Sequence, residues 1–376
     1  MQFETYPFEK LTLLLEDITP NETYDPIVLT IGEPQFETPE FIAKALCDHA
    51  PLLKKYPKTA GEPQLRDAMR GFVKRRFHIE LDDSQIIPTF GTRELLFNFP
   101  QFLLADIQNP VMAYTNPFYQ IYEGAAIAAG AERIHLNLTK ERGFLPPVDE
   151  KRLSRCDLVI LNFPNNPTAS VMPKEELARW VELALKHDFV LLNDECYSEI
   201  YTHVPPPSIL QASVEAGNPT FKNVLAINSV SKRSSAPGLR SGFIAGDDEI
   251  LKEYMRYRTY VGCASPLPLQ MAAATAWSDD EHVMAFREKY KENFQIAAEI
   301  LDIEIPEATF YIWLEVGDEL AFTRNLYRDY NVKVLPGSFL GREGIGEGYV
   351  RIALVESVEK TIEACRRIAA TLFSES

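Results

Sequence analysis

The 376 residues carry 38 lysines and arginines against 54 aspartates and glutamates, a formal net charge of -16 at pH 7. So acidic a chain has no basic footprint for nucleic acid or an anionic membrane surface, and any anionic ligand has to be met by a local cationic pocket. With 46% hydrophobic and 24% charged residues it is an ordinary globular chain with room for two or three domains; no apolar run approaches membrane-spanning length, the stretch Met1-Gln2-Phe3-Glu4-Thr5-Tyr6-Pro7 has no signal-peptide pattern, and a cytoplasmic location is expected.

The chain opens on an expected extended arm, and a helix is predicted from Thr38, which can cap it, with Pro39 at the first helical position. Gly91-Thr92-Arg93-Glu94 stands just before the helical Leu95-Leu96-Phe97, so its amides open at a helix N-terminus, a natural phosphate cradle. Strand-like apolar runs recur at Val111 to Tyr114, Leu158 to Leu161, Phe189 to Leu192, Val224 to Ile227 and Gly242 to Ala245. Several are separated by helix-like stretches, the rhythm of an α/β sheet. The clearest helix is predicted over 173–186, with Pro173 and then Glu175 and Glu176 in its first turn and Leu177, Trp180, Val181, Ala184 and Leu185 on one face.

After about residue 280 the pattern changes to a charged helix, strands at Thr309 to Leu314 and Tyr349 to Val355, and a terminal helix with Val358, Ile362, Cys365, Ala369 and Leu372 at helical spacing. Three segments are therefore expected: an arm with part of a smaller domain over 1–45, a large domain over 46–279, and a small C-terminal domain over 280–376. Cys47, Cys156, Cys196, Cys263 and Cys365 show no C-x-x-C pairing and the histidines are dispersed, so neither a disulfide frame nor a zinc cluster is signalled.

Lys232 lies in Ser229-Val230-Ser231-Lys232-Arg233-Ser234-Ser235-Ala236-Pro237-Gly238-Leu239-Arg240, where a strand runs into a hydroxyl-rich loop that closes on an arginine. A pyridoxal phosphate site needs such a set: an amine to bond the cofactor aldehyde, and hydroxyls, amides and a forked guanidinium to hold the phosphate. A lysine in a serine-rich loop is also an ordinary surface charge, so partners are required. Asp194 ends an apolar run and should emerge at the carboxyl edge of a strand, where it can pair with a pyridine nitrogen, with Tyr197 within reach of the ring oxygen; a helix cap or turn is the alternative. Asn166, in the rigid loop Asn162-Phe163-Pro164-Asn165-Asn166-Pro167-Thr168, can hydrogen-bond a ligand oxygen, or be only a turn residue. Arg351 alternates against Val350, Ile352 and Leu354, which turns it away from the apolar face toward solvent or a carboxylate.

Taken together and in this order, these residues resemble the class I/II pyridoxal phosphate aminotransferases of fold type I over nearly the whole chain. The matching segments are Tyr56 with Gly61, Leu65 and Arg66, then Asn166, Asp194 with Tyr197, Ser229 with Lys232 and Arg240, and Arg351. The resemblance implies a large domain with a mixed, mostly parallel sheet in an α/β/α sandwich, and a smaller α+β domain. It implies that Lys232 is the cofactor lysine and catalytic base, Asp194 the pyridine partner, and Asn166 and Tyr197 the ligands of the ring oxygen. Thr92, the Arg93 amide, Ser229 and Arg240 would hold the phosphate and Tyr119 would stack on the ring. Tyr56 would reach the phosphate of a neighbouring subunit, which implies a homodimer, and Gly32 and Arg351 would receive the substrate α-carboxylate. Ala169 and Ala308 stand where the family usually has glycine.

Finer stretches, among them Tyr6-Pro7-Phe8-Glu9-Lys10-Leu11, Ile31-Gly32-Glu33-Pro34 and Leu335-Pro336-Gly337-Ser338, resemble the succinyldiaminopimelate aminotransferases of lysine biosynthesis. The implied reaction exchanges an amino group between glutamate and N-succinyl-2-amino-6-oxopimelate. Both are polyanions, so a second cationic group should face the pocket, with Arg93, Arg233, Arg258 and Arg342 as candidates. Aspartate, aromatic or LL-diaminopimelate specificity, or a β-lyase on the same scaffold, are the rivals.

Overall fold

The computed structural model describes residues 2–373; Met1 and residues 374–376, the outer ends of the expected first and third segments, lie outside the described residues. The strands in chain order are β1 (Ile27–Val28), β2 (Ile86–Thr89), β3 (Val111–Asn116), β4 (Glu132–Asn137), β5 (Leu158–Leu161), β6 (Val190–Asp194), β7 (Val224–Ser229), β8 (Gly242–Gly246), β9 (Tyr311–Glu315), β10 (Val332–Lys333), β11 (Leu335–Pro336) and β12 (Tyr349–Ala353). Seven of them form one sheet in the order β2-β8-β7-β6-β5-β3-β4. The run from β7 through β6, β5 and β3 to β4 is parallel, and β8 is antiparallel to both β7 and β2. This is the mixed, mostly parallel sheet expected.

Parallel strands are covered on both faces, which is why these segments read as unbroken apolar runs. In β5, Val159 and Leu161 enter one core, with Phe72, Trp180 and Trp277, while Leu158 and Ile160 enter another on the opposite face, with Leu95, Phe99, Tyr122 and Tyr254. The β5–β6 crossover contains the helix Lys174–His187, with Pro173 as its N-cap residue and Leu177, Trp180, Val181 and Ala184 buried against the sheet. Trp180 is 1% exposed, so truncation to alanine should cost about 3–5 kcal/mol by loss of burial and cavity formation.

A second sheet, β11-β12-β9, is antiparallel, and β1 pairs in parallel with β10. Their core joins Ile27 and Leu29 of the N-terminal segment to Ile312, Leu314, Ile352, Cys365 and Ile368, the last two from the terminal helix Val358–Leu372. No helix among the described residues is long and apolar enough to cross a membrane.

Two local expectations are corrected. The arm is not extended throughout, because Pro7–Leu15 is helical and seats Leu11 and Leu15 against Leu335 and Leu340. Thr38 does not cap the next helix, Glu40–His49, whose N-cap residue is Pro39; its hydroxyl donates instead to the Ser235 carbonyl at 2.6 Å, a tertiary bond that replaces the local one. The positive φ near Ala308 falls on Thr309, at 69°, where the threonine hydroxyl accepts the Tyr311 amide at 2.9 Å.

Candidate active site

The parallel strands end side by side at Asn116, Leu161, Asp194 and Ser229, and a cavity of about 480 Å³ opens there, closed from the other side by the arm and the second sheet. Lys232 enters it from the short helix Val230–Arg233, whose N-cap Ser229 accepts the Ser231 amide at 3.1 Å. Its ammonium donates to the Gly32 carbonyl. Burial lowers the Lys232 pKa to about 8, with the charges of Arg351 and Arg240 acting in the same direction and Cys196 and Glu33 opposing. At that value the amine is readily available in its neutral, basic form.

Asp194 is buried at the end of β6, where Tyr122 donates to Oδ2 at 2.8 Å and the Cys196 amide to Oδ1 at 3.2 Å. Burial pushes its pKa up despite these bonds. A carboxylate in this position is stabilised by a cation placed in the cavity, which is what a protonated pyridine nitrogen supplies. Tyr197 is also buried, its hydroxyl 3.0 Å from that of Tyr311, and burial raises its pKa well above the usual phenol value. Asn166 Oδ1 accepts from Arg351 Nη1 at 2.8 Å, and Arg351 Nη2 donates to the Thr30 carbonyl at 2.6 Å. Arg351 Nε is buried with no partner among the described residues. Gly32 is required beside this pair, since a Cβ there would lie 1.9 Å from Tyr311 Oη.

The third wall is an anion cradle. Gly91, at φ 74°, is the N-cap of the helix Thr92–Leu104 and has no capping side chain, so the first amides are left open. Arg240 Nη2 lies so close that a Cβ on Gly91 would be 2.1 Å from it. Arg240 itself is tethered through Nη1 to the Pro237 carbonyl at 2.8 Å. Tyr119 completes this wall, its hydroxyl accepting from Arg93 Nε at 2.8 Å, and burial raises its pKa to about 12.

The expected residues Thr92, Arg93, Tyr119, Asn166, Asp194, Tyr197, Ser229, Lys232, Arg240, Gly32 and Arg351 all line this one cavity. Tyr56 does not; it is fully exposed in the loop after Ala50–Lys54. The four candidates for a distal cation separate cleanly. Arg233 is buried against Phe72 and Trp277 and paired with Asp280 at 3.0 Å, Arg258 is paired with Glu94 at 2.9 Å, and Arg342 is paired with Glu123. Only Arg93 of the four lines the cavity.

Sequence reasoning missed Tyr122, Tyr311 and the arm residues Tyr6, Pro7 and Phe8 as lining groups. Tyr122 had a legible signal, since it follows Tyr119 by three positions in the first turn of the helix Ile121–Ala128. A lysine of lowered pKa, a buried carboxylate without a cation, an orphaned Nε and a glycine cradle suit an aromatic aldehyde phosphate with a carboxylate substrate beside it.

Residues 24–368 match the family model for aminotransferase class I and II. The chain is 32% identical over 361 residues to an LL-diaminopimelate aminotransferase of Natranaerobius thermophilus, covering 91% of this chain and 90% of that one. Among solved structures it is similar to aminotransferase AspB from Helicobacter pylori, at 51% identity and TM-score 0.97 with both chains fully covered. An aminotransferase from Neisseria meningitidis superposes with TM-score 0.94 at 41% identity, over 99% of this chain and 98% of that one.

Proposed function

The chain belongs to the class I and II aminotransferases, a pyridoxal phosphate-dependent family, and from that premise we propose that it is a succinyldiaminopimelate transaminase, exchanging an amino group between glutamate and N-succinyl-2-amino-6-oxopimelate. The observation that carries the chemistry is Lys232, buried with a pKa of about 8 in the same cavity as Asp194 and Arg351. For the substrate, support comes from where the distinctive stretches fall: Tyr6, Pro7, Phe8, Ile31, Gly32 and Leu335 all line that cavity.

When bound, pyridoxal phosphate supplies an aldehyde to carry the amino group and a ring that draws electrons from the substrate α-carbon. The chain does the rest. Thr92, the Arg93 amide, Ser229 and Arg240 would hold the phosphate, Tyr119 would cover the ring, and Asp194 would keep the ring nitrogen protonated. Asn166 and Tyr197 would donate to the ring oxygen. Arg351 and Gly32 fix the α-carboxylate, which orients the α-hydrogen toward Lys232, and neutral Nζ takes that proton. The helix Pro7–Leu15 and the second sheet exclude water from above.

On this reading the chain works as a cytoplasmic homodimer, with Tyr56 reaching the neighbouring subunit's phosphate, and its three segments meet near residues 45 and 279. LL-diaminopimelate specificity is the second reading, favoured by the name of the 32% identical relative. The test is kcat/KM for N-succinyl-LL-2,6-diaminopimelate and for LL-2,6-diaminopimelate with 2-oxoglutarate as acceptor. Preference for the succinylated donor by tenfold or more, roughly the factor that about 1.4 kcal/mol of selective binding provides, is expected; the reverse preference replaces the first reading by the second.

A further inference from the structure

Arg233 and Ser234 directly follow Lys232, yet neither lines the cavity that Ser231 and Lys232 do. Both turn instead into the junction where the helix Leu267–Ser278 ends and the helix Glu281–Leu301 begins. Arg233 donates through Nη1 to the Ala276 carbonyl at 2.7 Å and through Nη2 to Asp280 Oδ1 at 3.0 Å. Ser234 is 0% exposed, with its hydroxyl 2.9 Å from His282 Nε2, and His282 Nδ1 bonds Asp279 Oδ1. An ionised aspartate can only accept, so Nδ1 carries the proton and Nε2 of the neutral ring accepts from Ser234. Serine, histidine and aspartate stand here in the order of a hydrolase triad, but the hydroxyl is sealed off from the cavity and cannot meet a substrate. The imidazole is fixed by edge contacts with Phe41 and Phe286.

The junction joins the two cores. Ala276 and Trp277, at its start, are buried with Phe72 and Trp180 against the first sheet, whereas Phe294, Ala297 and Leu301 of the helix that follows are buried with Ile312, Ile352 and Cys365 of the second core. Lys232 itself stands on one helical turn, Val230–Arg233, closed by the Ser234 amide on the Val230 carbonyl at 2.9 Å. So short a helix has little stability of its own, and tertiary bonds must fix its direction. Resting on the functional reading above for the task of Lys232, we propose that Arg233, Ser234 and His282 are positioning residues, through which the junction between the two cores sets the alignment of the Lys232 amine for proton transfer. None of the three touches the reacting atoms, so their loss should be felt in turnover and not in substrate binding.

The test compares full-length wild type with Ser234→Ala, His282→Leu and His282→Gln, whose amide keeps a polar group within reach of Ser234. The cofactor-loaded protein gives kcat and KM for glutamate; the cofactor-free protein gives the pH midpoint of covalent pyridoxal phosphate uptake, which follows the Lys232 amine. In Ser234→Ala and His282→Leu, kcat should fall about tenfold or more while KM stays within about twofold of wild type. The uptake midpoint should rise from about 8 by about half a unit or more, since a displaced amine loses part of the burial that lowers it, and His282→Gln should recover most of both losses. Wild-type kcat and midpoint in these variants overturn the proposal, as does a change in KM alone or a His282→Gln protein as impaired as His282→Leu. Should His282→Leu fail to fold, Ser234→Ala, which deletes one buried hydroxyl, decides. A wild-type protein that takes up cofactor at Lys232 but transfers no amino group from any donor would overturn the functional reading, and the uptake midpoint would then decide the link.

Discussion

Two walls of the cavity are built differently. Asp194 and Ser229 stand at the ends of adjacent parallel strands and Lys232 directly follows one of them, so their spacing is set by the sheet's hydrogen-bond register. Gly32, Tyr6, Tyr311 and Arg351 come instead from the arm and the second sheet, joined to the first wall through long-range bonds such as Arg351 to Asn166 and Lys232 to the Gly32 carbonyl. On the proposed function, the first wall would place the reacting atoms and the second would choose what is brought to them. Substitutions on the sheet side should therefore depress turnover for every substrate, and those on the arm side should act through binding and selectivity.

The largest effect expected is from Lys232→Ala, which on the proposed function would remove both the covalent anchor and the base. Turnover should drop by at least roughly a hundred- to ten-thousandfold while the protein still binds cofactor; steady-state activity near wild type would remove Lys232 from its role. Asp194→Asn keeps the shape and deletes the charge, and a loss on the order of a hundredfold or more in kcat is expected for all donors alike. A loss confined to one donor would place Asp194 on the selective wall and break the comparison. Arg351→Ala should raise KM more than it lowers kcat, with kcat/KM falling about thirtyfold or more.

A milder test sharpens the same contrast through pH. The Lys232 pKa is lowered from 10.5 to about 8, so its neutral fraction grows as pH rises through about 8. The rate at which cofactor-free protein takes up pyridoxal phosphate covalently should climb with a midpoint near pH 8; a midpoint near that of free lysine, roughly 10.4, would mean that the pocket does not tune the amine. The smallest effect is expected at Ala169, which occupies φ 61°, a left-handed conformation that favours glycine. Ala169→Gly should relieve left-handed strain of about 1 kcal/mol, partly offset by the freer unfolded chain, and chemical denaturation should show a modest rise in the midpoint.

The sheet side was the more legible of the two in the sequence. Strands buried on both faces announce themselves as apolar runs, and the residues that end them, Asp194 and Ser229, follow directly. The missed strands lack that signature. β4 exposes Glu132 and Arg133, and β2 is an edge strand interrupted by Pro88. On the arm side, local pattern says little. Tyr6 and Tyr311 become cavity residues only because chain segments hundreds of positions apart pack together, and Arg93, Arg233, Arg258 and Arg342 are equivalent as letters. Their difference is the presence of Asp280, Glu94 and Glu123 beside three of them, which only the tertiary fold supplies.

The central claim, that this cavity transfers an amino group from an acidic long-chain donor through Lys232, is tested most directly with ¹⁵N-labelled N-succinyl-LL-2,6-diaminopimelate and 2-oxoglutarate. The cofactor-loaded protein should produce ¹⁵N-glutamate, and Lys232→Ala should not. Release of the label as ammonia, or labelled glutamate at equal rates from both proteins, would contradict the account.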